Sequence, residues 1–413
     1  MEPAHASRPT YRATDADTIV VGAGPAGTIT ALLLARLGRD VLVLDQDPMP
    51  RPKPCGDCLS AAATTLLRRI GLLQRVLDAG AHRLQGWRIV APSGLACTGR
   101  FGQTPSLALE RQVLDAVLLD AAIEAGARFR RARVRALEHD VHGRATGVVA
   151  RDGARSITLH APLIVGADGL RSITARRLDR VRRRPLLRKV SLTTHYEAPD
   201  PGDGFGEMYV LEGGCLGHAP VGRGRWNLTL VVGAEGAAGL GGDGPAAFFR
   251  EWLERVPALS DRANGAELEP FLASGPFDWP GRSPAVPGAV LVGDAAGYYD
   301  PFTGQGVYHA MASAEMLARE LGPAIGRAGQ DRAARRYARH QRRLTRPSRR
   351  FQRLVELGLS RAGRADRLLA RLAAAPEVMD RVVAVTGDLR RPLSLLSPRM
   401  VTSFLLPATP GAP

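Results

Sequence analysis

Lysine is nearly absent from this sequence. Only Lys53 and Lys189 occur among 413 residues, so 54 of the 56 basic residues are arginine. That skew, beside many alanines and glycines, points to a coding bias more than to a chosen guanidinium chemistry. Cysteine is scarce too. Cys55, Cys58, Cys97 and Cys215 are too few for a disulfide scaffold and read as intracellular thiols of a cytoplasmic protein. No run reaches the roughly 18 uninterrupted apolar residues of a spanning helix. The first 16 residues lack an apolar core, so they read as a mobile leader and not as a secretory signal. Internal repeats and low-complexity tracts are missing. Metal binding has little support, because the CxxC at 55–58 has no second half and the nine histidines do not cluster.

What is present is enough for large cores. Apolar residues make up 45%, and the length suits two or three domains at about 150 residues each. The net charge of +16 is uneven. Residues 331–413 hold 18 arginines against 6 acids, a local balance of +12. The remainder is close to neutral, which argues against a nucleic-acid-binding surface. The basic block is helical by pattern but interrupted by Pro347, Pro376 and Pro392. It reads as a solvated face or as a weak membrane-surface or acidic-partner patch.

The chain is organised around residues 18–45. The apolar run Ile19-Val20-Val21 meets Gly22-Ala23-Gly24-Pro25-Ala26-Gly27, an apolar helical stretch ends at Gly38, and Val41–Leu44 delivers Asp45. Gly22 makes the tight turn, Gly24 admits a pyrophosphate and Gly27 lets helix and strand pack closely. Pro25 suits the first helical turn, whose free N–H groups favour phosphate. Asp45, 18 residues past Gly27, stands where a carboxylate accepts from a ribose diol. A second GxGxxG at 239–244 follows a Gly/Ala-rich loop instead of a strand and carries no such meaning.

Further along, the prolines between 48 and 54 predict an extended loop ending in Cys55-Gly56-Asp57-Cys58. Ser60 is placed to cap a helix over 61–70. Residues 84–101 read as a hairpin, and Arg111 opens a helix ending at Gly126. Apolar strands at 162–166 and 289–293 point to a sheet buried on both faces. Between them, 188–198, 207–211, 216–220 and 225–233 read as antiparallel strands, followed by a helix over 246–256.

Three segments fit one plan: GAGPAG with Asp45, GADG at 166–169, and GDAAGYYDPFTGQG at 293–306. In this order they resemble the FAD-dependent oxidoreductase superfamily of class A flavin monooxygenases (the aromatic hydroxylases), flavin halogenases and geranylgeranyl reductases. KPCGDCLS at 53–60 looks nearest to the CGD-containing, geranylgeranyl-reductase-like bacterial subgroup. The resemblance implies an α/β fold: a Rossmann-like FAD/NAD(P)-binding ββα domain (17–75, 105–172 and 285–325), an inserted antiparallel-sheet substrate domain (76–104 and 173–284) and a C-terminal helical region (326–413). It implies that Gly22, Gly24 and Gly27, with Pro25 and Ala26, hold the FAD pyrophosphate, and that Asp45 holds the adenosine ribose. Arg111 would contact the phosphate–ribityl part. Asp168 would shape the sheet near FAD. Gly293 and Asp294 would meet the ribityl chain, while Pro301, Gly304 and Gly306 would precede a helix facing the isoalloxazine.

The halogenase and prenyl-reductase aromatic motifs are replaced here by Gly214–Pro220. The substitution argues against halogenation and implies a roomier pocket. His218, His195, Tyr209 and Trp226 are candidate pocket residues. Cys55 and Cys58 could form a redox dithiol, or Cys55 could line the flavin or substrate channel. The favoured reaction is an NAD(P)H-driven monooxygenation, with O2, of an apolar or phenolic small molecule such as a polyketide or lipid-like metabolite. The alternatives are a geranylgeranyl-reductase-like reduction of C=C bonds, and an FAD-bound redox-sensing or binding protein.

Overall fold

The computed structural model describes residues 14–181, 189–199, 202–233, 235–242, 244–279, 281–298 and 304–405. Pro301, residues 1–13 of the expected leader and residues 406–413 of the basic block lie outside them.

A six-stranded sheet runs through the protein in the order 285–286, 289–291, 163–166, 18–21, 41–45, 128–131. Its strands are parallel except for the edge pair 285–286 and 289–291. Both faces are covered, which explains the uninterrupted apolar runs. Val20, Val41, Val43 and Val165 enter a core with the helices Pro25–Arg36, Arg111–Glu124 and Gly306–Leu321. Their neighbours Ile19, Leu42, Leu44 and Ile164 enter a second core under the meander of strands Arg133–His139, Ala145–Asp152 and Arg155–His160.

A seven-stranded sheet is ordered 272–274, 190–197, 225–232, 214–222, 205–211, 86–90, 96–100. The early hairpin joins it, with Gly86–Val90 parallel to Phe205–Leu211, so this sheet is mixed. The helices Pro245–Glu254 and Pro257–Ala263 cover one face through Phe248, Phe249, Trp252 and Leu259.

The last described residues, from 326 on, are mostly helical. Contrary to the expected break, Gly326–Leu359 is a single helix that passes through Pro347. Proline removes a hydrogen bond at about 3 kcal/mol. Buried Ser348, Phe351 and Gln352 anchor the following turn, and this packing offsets the loss. Pro376 and Pro392 do open new segments. Ala362–Ala373 and Pro376–Thr386 pack Leu369, Leu372, Met379 and Val383 on Ala91, Cys97 and Phe101 of the hairpin. Ser60 occupies the N-cap position of Ala61–Arg69, yet its hydroxyl donates to Asp388 and does not cap the helix. Among the described residues, no helix is long and apolar enough to cross a membrane.

Candidate functional site

The C-terminal end of the parallel sheet and one face of the seven-stranded sheet enclose a single cavity of about 1340 Å³. At one end lies the glycine turn. A Cβ on Gly22 would meet the Ala167 carbonyl at 2.5 Å, and one on Gly27 would meet the Gly22 carbonyl at 1.8 Å. These two glycines let backbone pass backbone. Gly24 differs: a Cβ there would meet only Nη2 of Arg111, at 3.9 Å. It therefore faces the cavity, at the N-cap of the helix that begins with Pro25 and Ala26. The helix Gly306–Leu321 points its N-terminus into the same space, with Gly304 and Gly306 in the wall. Neither helix carries an acid in its first turn, so two positive dipole ends converge on one cleft.

Charged side chains complete this end. Asp45 accepts the Ala23 N–H at 2.7 Å and the Asp47 N–H at 3.1 Å, with Arg51 at 3.3 Å. Arg111 donates twice to buried Asp115, at 2.9 and 2.8 Å. Burial opposes its charge, but Asp115 more than offsets that. Lys53 lines the cleft, and burial beside Arg111 and Arg51 lowers its pKa. Asp294 lines it as well, its pKa raised by burial against the pull of Lys53 and Arg111. Among the described residues no hydrogen bond reaches its carboxylate. A carboxylate without a protein donor, an open glycine cradle and two helix N-termini suit a ligand with hydroxyls and a diphosphate, which is what FAD presents. Bound there, FAD would rest its diphosphate at Gly24 and Arg111 and its hydroxyls at Asp45 and Asp294.

Asp168 takes a different place. Its carboxylate accepts from Ser172 Oγ at 2.6 Å and from Thr174 N at 3.0 Å, and so fixes the start of the helix Ile173–Arg177. It shapes the turn and has little left for a ligand. Gly293, at φ 57°, packs over Ala26.

Strand alternation sorts the pocket candidates. Ser191, Thr193, Met208, Cys215, Gly217 and Thr229 line the cavity, and the register sets Gly217 and Thr229 side by side with Thr193. Tyr196, Tyr209, Leu216, Trp226 and Leu228 point the other way, into the core beneath Phe249 and Trp252. Tyr209 and Trp226 therefore belong to the opposite face, because they sit at the wrong parity. His218 shares that parity. Its ring stacks on Trp226 at 4.3 Å and bonds Tyr196 and Glu207 at 2.8 and 3.2 Å, yet, unlike Tyr209 and Trp226, the residue still forms part of the cavity wall. Arg262 joins Glu207 at 2.6 Å. Burial would raise the Glu207 pKa, but His218 and Arg262 override it and hold it at about 2. Burial pushes Tyr209 up to about 12.

His195 is on the cavity-facing side but is covered by the CGD loop. Its Nε2 lies 2.6 Å from Asp57, which also takes the Asn227 amide at 2.7 Å and the Arg111 N–H at 3.0 Å. Burial lowers the His195 pKa, and the Asp57 carboxylate more than reverses this. Asp57 thus ties the loop, the Arg111 helix and the sheet together from a left-handed backbone, φ 56°. Sequence reasoning quoted Asp57 within its segment without giving it a role. The only signal was an acid between the two cysteines. Cys55 and Cys58 are free thiols, and burial raises both pKa values. This protonated state opposes a dithiol poised for exchange. Cys55 does line the cavity, beside Arg111.

Past the small residues of Gly214–Pro220, the cavity continues between the hairpin and the last helices. Leu359, Leu368, Leu372, Val382, Met400 and Phe404 are among its apolar walls.

Comparison with known proteins agrees with FAD as the cofactor. The pattern of a family described as "FAD binding domain" matches residues 15–208. The chain is similar to conditioned medium factor receptor 1 of Dictyostelium discoideum, 27% identical over 74% of this chain and 63% of that protein. It is 31% identical to menaquinone reductase of Mycolicibacterium smegmatis, over 74% of this chain and 76% of the relative. Digeranylgeranylglycerophospholipid reductase 2 of Methanopyrus kandleri is 30% identical, over 75% and 77%. Among solved structures, the flavin-dependent brominase Bmp2 superposes with a TM-score of 0.79 at 18% identity, covering 90% of this chain and 93% of that one. At that identity the likeness concerns the fold.

Proposed function

The chain belongs to the superfamily of FAD-dependent oxidoreductases, and from that membership we propose that it reduces a carbon–carbon double bond in a long apolar, prenyl-like small molecule. The observation that carries this reading is the continuous cavity. Its cleft suits the dinucleotide, and its apolar arm runs on between the hairpin and the last helices. Its walls, Leu359, Leu368, Leu372, Val382, Met400 and Phe404 among them, are apolar, which suits a hydrocarbon chain. Two relatives are, by name, reductases of menaquinone and of a geranylgeranyl lipid; this supports the reading by kinship.

FAD supplies hydride chemistry when bound. The chain's own residues do the remainder. Cys215, Gly217 and Thr229 keep the cofactor side of the sheet low, so a flat alkene can lie there. Cys55 keeps its proton because burial raises its pKa, and it is our candidate donor of the proton that completes the saturated bond. The electrons would come from NAD(P)H by transient docking. The test is anaerobic turnover of a prenylated quinone with NAD(P)H. A product heavier by two hydrogens is expected, and formation slows when Cys55→Ser replaces the donor. A product that needs O2 and gains one oxygen would instead establish hydroxylation. That second reading is favoured by the room that Gly217 and Ala219 leave where bulky aromatic motifs stand in related enzymes.

A further inference from the structure

The apolar arm opens at a mouth whose rim is both wall and surface. Leu354, Leu396 and Val401 line the cavity, yet they are 66%, 68% and 37% exposed. Leu357 and Leu393, 59% and 72% exposed, stand one turn away from Leu354 and Leu396 and extend the patch outward without lining the cavity. The end of the long helix packs on the segment Pro392–Leu396, so the two leucine pairs form one surface. Among the described residues, five of the ten exposed large apolar side chains fall in these short stretches. Scattered exposed leucines need no explanation; a cluster around a cavity mouth does.

The rim is basic. Exposed Arg350, Arg353, Arg361, Arg364, Arg390 and Arg391 flank the leucines, and Arg364 reaches the Leu357 carbonyl at 3.3 Å. Two nearby acids have partners of their own. Glu356 pairs with Lys189, and Asp366 accepts the Ser93 N–H. Apolar tips ringed by guanidinium groups match a bilayer surface with anionic headgroups: the leucines enter the acyl boundary and the arginines meet phosphate.

We propose that this mouth docks on an anionic lipid bilayer, Leu354, Leu357, Leu393 and Leu396 entering its surface and Arg350, Arg361, Arg364, Arg390 and Arg391 holding its headgroups, so that a lipid-borne substrate passes straight into the cavity. A second copy of the chain or a protein seated here would close the mouth, whereas a bilayer leaves it open to apolar molecules. The inference deepens the reading of the cavity as a prenyl-chain site, but its test needs no turnover.

The test uses the FAD-loaded full chain and vesicles of phosphatidylcholine, alone or with phosphatidylglycerol. Co-sedimentation with the anionic vesicles is expected, together with loss at high salt. The double variant L357D/L393D touches neither cavity wall nor cleft, and it should lower vesicle affinity by at least about tenfold. R390Q/R391Q should flatten the salt dependence. Bound-flavin absorbance and melting temperature show that the variants fold. Equal binding by wild type and L357D/L393D, or no binding to anionic vesicles, overturns the inference. So does a wild-type dimer that L357D/L393D converts to a monomer in sedimentation velocity. Turnover of a detergent-dispersed substrate separates the two ideas. If it proceeds without vesicle binding, only the docking fails. If vesicles bind and no substrate is reduced, only the reaction fails.

Discussion

The two faces of the seven-stranded sheet are made by the same strands and differ in the size of their polar groups and in what covers them. On the covered face, Glu207, His218, Tyr196, Tyr209 and Arg262 bond one another beneath a helix. On the cavity face stand Ser191, Thr193, Cys215, Gly217 and Thr229, short groups beside open volume. The more eye-catching side chains are consumed by each other, and the plainer face does the receiving. Even there Thr193 and Thr229 share a hydrogen bond at 3.0 Å, so what sets this face apart is short side chains beside open volume.

The comparison breaks most visibly on the covered face. Glu207→Ala strands His218 and half-exposed Arg262, and it should lower unfolding free energy by about 3 kcal/mol in chemical denaturation. Flavin absorbance of the folded fraction should stay unchanged. The same carboxylate gives a pH signature. Its folded pKa of about 2 lies below the unfolded value of 4.5. Its contribution is therefore present above pH 4.5 and is lost as pH falls from there towards 2, by on the order of 3 kcal/mol. Glu207→Gln should flatten that limb of the melting-temperature profile. On the cavity face the expectation inverts. Gly217 has room, since an added Cβ meets only the Thr229 carbonyl at 3.7 Å. Gly217→Phe should leave the melting temperature nearly unaltered and reduce kcat/KM for a prenyl substrate by about 10–100-fold, roughly 2 kcal/mol. The smallest effect lies at the dinucleotide end. Asp294→Asn keeps shape and loses charge, and FAD titration should show about tenfold weaker binding, near 1.4 kcal/mol.

How much of this was readable beforehand follows the same division. The glycine turn, Asp45 and the doubly buried strands were legible because each is a local pattern with one physical solution. The Gly304 helix was legible from the superfamily resemblance. Parity on the seven-stranded sheet was not, since His218 and Gly217 are adjacent in sequence and only the register decides which faces the cavity. Asp57 was hidden for a related reason: its partners His195 and Asn227 lie 138 and 170 residues away. Asp168 was half legible, because its capping of Thr174 is local. The helix through Pro347 defied a local rule through tertiary packing at Phe351.

Gln305 gives the arrangement a mechanical side. Its carbonyl oxygen accepts from Ser348 and Gln352, just past Pro347, and its amide donates to Asp388. The same residue is the N-cap of the helix Gly306–Leu321, which points into the cavity. A rod of 34 residues, about 50 Å long at the usual rise, is therefore pinned at Gln305 near its weakest joint, with Tyr337 fastened to the Leu291 carbonyl on one side and the leucine rim on the other. The leucine rim and the helix that points into the cavity are thus joined, through one side chain, in a single rigid piece of the wall.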